Sequence, residues 1–201
     1  FVDDEGRFDI NNFKKAIRIA VRALNNVLDE GLIKHPLLEQ KNSVCKWRQI
    51  GLGIMGLADM LIKMGVRYGS EKAIDFCDKI AYGMAHTALD ESSKLAAQYG
   101  TYEGYDDRVI DSLFFKAHQS DKLLASVEAY GLRNSQLLTI APTGSISTMI
   151  GVSGGIEPIF ANSYQRLTKS LHGEDVAYKV YTPIVKEYME NPFAVQNMIT
   201  L

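Results

Sequence analysis

The chain has 201 residues, a formal net charge of −2 and 46% hydrophobic residues, a size and balance that suit one globular domain or a piece of a larger one. With no basic excess, it is not expected to bind nucleic acid or an anionic membrane surface. No apolar stretch is long enough to span a bilayer, because Asp59 and Lys63 interrupt the longest one. Two cysteines, Cys45 and Cys77, are too few for a disulfide framework and point to a reducing, cytoplasmic setting.

The chain opens without Met on the polar stretch Phe1-Val-Asp-Asp-Glu-Gly-Arg7, which lacks the basic start and apolar core of a signal peptide. It stops on Met198-Ile-Thr-Leu201 without a capping signal. The expectation is that residues 1–201 form a single domain that is a fragment of a longer protein.

From residue 9 to residue 31, Phe13, Ile17, Val21, Leu24 and Leu28 recur at three- and four-residue steps, with Lys14, Lys15, Arg18, Arg22 and Asn25 between them. The spacing predicts an amphipathic helix closed by Gly31. A second helix is predicted to begin near Arg48, with Leu52, Met55, Leu61 and Ile62 facing apolar neighbours; its three glycines imply either the close approach of another backbone or a break in the helix. A long helix should start at Ser70, a good N-cap with Glu71 just inside, and run through Ile74, Cys77, Ile80, Met84, Leu89 and Leu95 towards Gly100.

Shorter helices are predicted over 108–117 and 121–129, the latter ended by Tyr130-Gly131. Another should follow Pro183, whose fixed φ suits a first helical turn, and end at Asn191-Pro192. Strand signals are fewer. Gln136-Leu-Leu-Thr-Ile-Ala141 is a continuous apolar run of the kind buried on both faces of an α/β sheet, and residues 159–164 are a second candidate. The fold class is therefore α/β, helix-rich with a few buried strands.

Gly51-x-Gly53-x-x-Gly56 has the spacing of a dinucleotide fingerprint, and Glu71 lies about twenty residues on, where a ribose-binding acid belongs. That motif needs a buried strand running into its first glycine, and Lys41-Asn-Ser-Val-Cys-Lys-Trp-Arg-Gln49 is polar and charged. No nicotinamide cofactor is expected.

The stretch after the predicted strand carries more chemistry. Beyond Pro142, residues Thr143, Gly144, Ser145, Ile146 and Ser147 combine bare backbone N–H groups with three hydroxyls and a glycine. A helix starting near Ser145 would aim its first amides and its dipole at the same point. The expected product is a phosphate cradle of neutral donors that holds a phosphate without transferring it, because no Walker Lys is present. The plainer reading is a Ser cap beside an ordinary glycine turn. Glu157, in Gly154-Gly-Ile-Glu-Pro158, is a pocket neighbour with no proton-transfer role assigned. The histidines at 35, 86, 118 and 172 have no ligand spacing, so no metal is expected.

Three ordered stretches, Phe1-Val-Asp-Asp-Glu-Gly-Arg-Phe-Asp9, Ile50-Gly-Leu-Gly-Ile-Met-Gly-Leu-Ala-Asp59 and Ala141-Pro-Thr-Gly-Ser-Ile-Ser147 with Gly155-Ile-Glu-Pro-Ile-Phe160, resemble the catalytic subunit of ribonucleotide reductase. The resemblance implies part of a ten-stranded α/β barrel. In that barrel a thiyl radical removes the 3′ hydrogen of a ribonucleotide, and a cysteine pair reduces the 2′ position as water leaves. It implies that Pro142, Thr143, Gly144, Ser145 and Ile146 bind the phosphates of a ribonucleoside di- or triphosphate, with Ser147 and Glu157 beside them.

The family's Asn-x-Cys-x-Glu loop is absent, so Cys45 and Cys77 inherit no catalytic role and the fragment alone is expected to be inactive. Cys77 reads as a small core residue. Residues 141–147 resemble the adenosylcobalamin-dependent branch more than the branch with a separate radical subunit, and a homodimer fits either. Two other readings stay open: another phosphosugar or nucleotide enzyme, and a non-catalytic helical interaction domain.

Overall fold

The computed structural model describes residues 1–168, 173 and 176–190. They form two compact units, one made of Phe1, Asp9–Gly53 and Asp75–Thr139, the other of Val2–Phe8, Ile54–Ile74 and the chain from Ile140 onward.

In the first unit, helix α1 (Ile10–Lys34) is capped by Asp9, whose carboxylate accepts the amides of Asn11 and Asn12. It buries Phe13, Ile17 and Val21. It does not stop at Gly31. That glycine stays helical, and the chain leaves the helix at His35, whose extended backbone is what the following Pro36 demands. Helix α2 (Leu38–Trp47) has no fully buried residue and hence no apolar periodicity to announce it. It ends where Arg48 turns left-handed, with φ 43°.

The helix predicted to begin near Arg48 does not start there; of this stretch only residues 57–63 are helical. The chain runs extended: Ile50 N–H donates to Gln136 O (3.0 Å), Leu52 N–H to Leu137 O (2.9 Å), and Thr139 N–H to Leu52 O (3.0 Å). Close packing does account for Gly51, since a Cβ there would meet Thr139 Cγ2 at 2.9 Å. The predicted strand 136–141 is the other side of this pairing, reduced to one parallel bridge between Leu52 and Leu138. Leu137 is buried, but Ile140 and Ala141 are exposed, because no second described segment pairs with them.

A long helix α4 (Glu71–Tyr99) begins as read, with Ser70 Oγ accepting the Ala73 amide. It buries Ile80, Met84, Leu89 and Leu95, whereas Ile74 is exposed. Cys77 is half-buried instead of sealed in the core. Burial, then the charge of Asp78, pushes its thiol pKa up, which keeps it protonated.

The single helix expected over 108–117 is broken at Ser112. A 3-10 turn (Asp107–Asp111) precedes helix α5 (Leu113–His118), and Ser112, extended in backbone, caps the Phe115 amide. Helix α6 (Asp121–Tyr130) has Ser120 as its cap and Gly131 as its stop.

Four segments of this unit are tied by buried polar groups. Asn134, 1% exposed, exchanges side-chain hydrogen bonds with Asn25 of α1 (3.0 and 3.1 Å). Its Nδ2 also donates to Arg48 O (2.8 Å), and its Oδ1 accepts from Ser92 of α4 (3.1 Å). Arg48 in turn donates to Asn25 Oδ1 (3.1 Å) and pairs with Asp29 (2.7 Å). Asn25, which sits among the polar residues of the sequence pattern, is therefore an interior residue. Separately, the buried carboxylate of Glu91 pairs with Arg22, joining α4 to α1.

In the second unit, helix α3 (Leu57–Lys63) buries Leu57, Ala58, Asp59 and Leu61. Helix α7 (Gly144–Ile150) comes directly after the loop of interest. Strands β1 (Ser163–Thr168) and β2 (Val176–Tyr181) pair antiparallel, Ser163 opposite Tyr181. The strand predicted over 159–164 is thus displaced towards the C-terminus, to where β2 supplies its partner. Helix α8 (Pro183–Glu190) starts at the proline as read and buries Ile184 and Val185. Its predicted end at Asn191-Pro192, the closing residues 198–201 and His172 lie outside the described residues.

Among the described residues, the strands amount to one two-stranded sheet and two isolated bridges, so the fold is helix-rich and a ten-stranded barrel is not seen. No helix among them is long and apolar enough to cross a membrane.

Replacing Asn134 by Ala removes the side-chain donor to the Arg48 carbonyl, the acceptor of the Ser92 hydroxyl and both side-chain bonds to Asn25. Ser92 Oγ still accepts two backbone amides, and Asn25 still bonds Val21 O and Arg48. The expected loss is about 3 kcal/mol of stability, read from denaturant unfolding.

Candidate functional site

Residues 141–157 of the second unit are folded around the first turn of α7. The amides of Gly144, Ser145 and Ile146 have no carbonyl four residues back inside the helix, and none makes a hydrogen bond to any described residue. Ser147 differs from the sequence reading. Its amide donates to Thr143 O (2.8 Å), its side chain is buried, and its hydroxyl donates to Gly144 O (3.3 Å). Neither its amide nor its hydroxyl proton is open to a ligand.

Thr143 is the residue that makes the turn, and it does so at φ 51°. A left-handed backbone is uncommon for a β-branched residue and costs on the order of 1–3 kcal/mol unless the surroundings hold it. Here they do. Thr143 Oγ1 accepts the amide of Gly155 (2.8 Å), and the Gly154-Gly155 backbone lies directly against the loop. A Cβ on Gly154 would stand 3.0 Å from Pro142 O, and one on Gly155 would stand 2.9 Å from Ala141 O. Gly155 itself has φ 46°. Two glycines in this place are required by contact.

The loop opens on a cleft of about 550 Å³ whose walls include Pro142, Gly144, Ser147, Glu157, Phe160 and Tyr164. Thr143, Ser145 and Ile146 do not line it; Ser145 and Ile146 are exposed. Among the described residues that line it there is no Lys or Arg, and Glu157 contributes a carboxylate. The donors that these described residues offer an anion are amides and hydroxyls. The Glu157 amide is used locally, donating to Gly154 O (2.9 Å).

Three further residues, Asp59, Ser153 and Tyr68, carry no role in the sequence reading and support this region. Ser153 donates its amide to Asp59 Oδ2 (2.7 Å), and its carbonyl accepts the Gly56 amide (2.8 Å). Tyr68 donates its hydroxyl to Ile156 O (2.8 Å). The signal for Asp59 is present in the sequence: a lone acid inside the apolar run Leu57-Ala58-Asp59-Met60-Leu61.

The third glycine of the supposed fingerprint, Gly56, sits left-handed at φ 78° and precedes α3, a helix of seven residues. The segment before Gly51 is α2 and no strand. The cysteines lie elsewhere, Cys45 exposed on α2 and Cys77 on α4. Among the described residues no cluster of His, Cys, Asp and Glu could hold a metal ion.

Open amides at the start of α7 and a cleft of about 550 Å³ are what this geometry shows. Comparison with known proteins supplies the family. The family described as "Ribonucleotide reductase, barrel domain" matches residues 1–200. The chain belongs to that family.

Its relatives include the ribonucleoside-diphosphate reductase subunit alpha of Chlamydia pneumoniae, 31% identical over 92% of this chain and 19% of that protein. The vitamin B12-dependent ribonucleoside-diphosphate reductase of Mycobacterium tuberculosis is 31% identical over 84% of this chain and 22% of that protein. The ribonucleoside-diphosphate reductase large subunit of Monkeypox virus is 32% identical over 85% and 23%. The chain thus spans about a fifth of the length of these relatives.

Gly155→Ala drives a methyl into Ala141 O at a backbone angle that only glycine adopts freely. Hydrogen–deuterium exchange across 141–157 is expected to rise about tenfold or more, with α1 and α4 unchanged.

Proposed function

We propose that this chain is a portion of the catalytic barrel of a ribonucleotide reductase, and that Pro142, Thr143, Gly144, Ser145 and Ile146 hold the phosphates of its ribonucleoside di- or triphosphate substrate. On this reading the whole chain is one domain of a cytoplasmic enzyme that converts ribonucleotides to deoxyribonucleotides for DNA synthesis. Family membership favours it over the two other readings, an unrelated nucleotide enzyme and a helical interaction domain.

The observation that carries the phosphate assignment is the set of unpaired amides at Gly144, Ser145 and Ile146, presented by a strained Thr143 that Gly155 holds in place. Such groups are stabilised by an incoming anion, which supplies acceptors that the chain lacks. This segment contributes binding and orientation. Radical and reducing chemistry falls to cysteines other than Cys45 and Cys77, since one is exposed on α2 and the other is a raised-pKa thiol half-buried in α4.

The radical source is a separate question. The likeness of residues 141–147 to the adenosylcobalamin-dependent branch, together with a relative whose name carries vitamin B12, supports that branch. The Chlamydia and Monkeypox relatives bear no such word in their names, and with them a separate radical subunit is the alternative; a homodimer suits both. No motif of this chain is assigned to hold that cofactor, and no step is routed through it.

Calorimetric titration of the intact polypeptide with a ribonucleoside diphosphate tests the assignment. Thr143→Val deletes the acceptor for Gly155 and is expected to weaken binding about tenfold, and Ser145→Ala about threefold. Unchanged affinity in both variants would count against the cradle.

A further inference from the structure

Between Gly56 and Asp59 the sequence looks like the end of a dinucleotide fingerprint, yet the structure uses it for something else. Asp59 is 7% exposed, and among the described residues no cation pairs with its carboxylate. It accepts the Ser153 amide at 2.7 Å, the short distance of a charge-assisted bond. On the other side of the same residue, the Gly56 amide donates to Ser153 O at 2.8 Å. Ser153 is therefore gripped at both its backbone groups by the first turn of α3 and the residue that precedes it.

Next to Ser153 in the chain stands the glycine pair that touches the loop. Gly154 and Gly155 lie against Pro142 O and Ala141 O, and the Gly155 amide donates to Thr143 Oγ1. The chain of contacts is continuous: Asp59, Ser153, Gly154-Gly155, Thr143, and then the open amides of Gly144, Ser145 and Ile146. Thr143 holds a left-handed backbone that relaxes if Gly155 withdraws, and Gly155 is held two residues from the Asp59 bond.

We infer that Asp59 is a positioning residue for the substrate-phosphate loop, acting through Ser153 and Gly155 and touching no ligand itself. This role rests on the proposed phosphate-binding function of that loop. The carboxylate fixes backbone geometry: an acceptor oxygen buried at this spot sets where the 153–155 segment lies, and that segment sets the conformation of Thr143. Removing the acceptor leaves the Ser153 N–H buried without a partner and frees the segment to move. An amide side chain of the same shape keeps an acceptor oxygen but loses the charge. The conservative variant should therefore fall between wild type and deletion.

The experiment uses the intact enzyme, with hydrogen exchange at residues 143–147 and steady-state kinetics measured on wild type, Asp59→Asn and Asp59→Ala. In wild type, added ribonucleoside diphosphate is expected to slow exchange at Gly144, Ser145 and Ile146. Asp59→Ala should raise substrate KM about tenfold with kcat changed less than about twofold, and Asp59→Asn should raise it about threefold.

If wild-type exchange is insensitive to nucleotide, the loop reading falls and the inference with it. If the loop is protected in wild type but both variants keep wild-type KM, or lose kcat alone in proportion to lost folded protein, the loop reading stands and the role of Asp59 is overturned. Should Asp59→Ala not fold, Asp59→Asn decides by itself: a raised KM at wild-type kcat supports the role, and an unchanged KM ends it.

Discussion

An amide N–H with no carbonyl behind it is the constraint around which residues 141–157 are arranged. Any helix leaves such groups at its first turn, and most proteins cover them with a capping side chain. Here Thr143 occupies the cap position without capping, since its hydroxyl oxygen is turned to Gly155. That choice leaves three donors open and obliges the chain to hold a β-branched residue left-handed. Both consequences are destabilising for the protein alone. They become intelligible if an anion completes the turn.

The first unit shows the opposite solution to the same problem. Asn25, Arg48, Ser92 and Asn134 bring polar groups from four segments into the interior and pair them with one another, leaving Arg48 Nε as the unpaired atom of the set. A network satisfied in this way fixes where α1, α4 and the chain around Arg48 stand. These four residues of one unit pair most of their polar groups internally, while the other unit leaves three amides of its loop open. The contrast argues that the open amides are a property of that loop and not of a loosely built chain.

Much of the architecture is legible from spacing alone. Helices α1 and α4 declare themselves through apolar periodicity, α4 also through Ser70 as its cap, and α6 through its Tyr130-Gly131 end. Helix α2 is not legible because it buries nothing fully. The extended run near Ile50 reads as helix because Leu52, Met55, Leu61 and Ile62 mimic a helical face, and its glycines answer to Thr139 and Val152, neighbours distant in sequence. Asn25 and Asn134 are 109 positions apart, and nothing local marks either as interior.

The loop is visible in its composition and in a family resemblance, but its supports are not. Thr143 and Gly155 meet across twelve positions and Asp59 and Ser153 across ninety-four, so their partnership belongs to the tertiary structure. From sequence, the glycine pair at 154 and 155 reads as a flexible turn. Contact with Pro142 and Ala141 shows instead that it is a fitted surface.

The most direct measurement is a structure of the intact polypeptide with a ribonucleoside diphosphate bound. The account predicts phosphate oxygens about 2.8–3.0 Å from the amides of Gly144, Ser145 and Ile146, with Thr143 still left-handed and Gly155 still on its hydroxyl. Phosphates resting on lysine or arginine elsewhere, with those three amides facing only water, would contradict it.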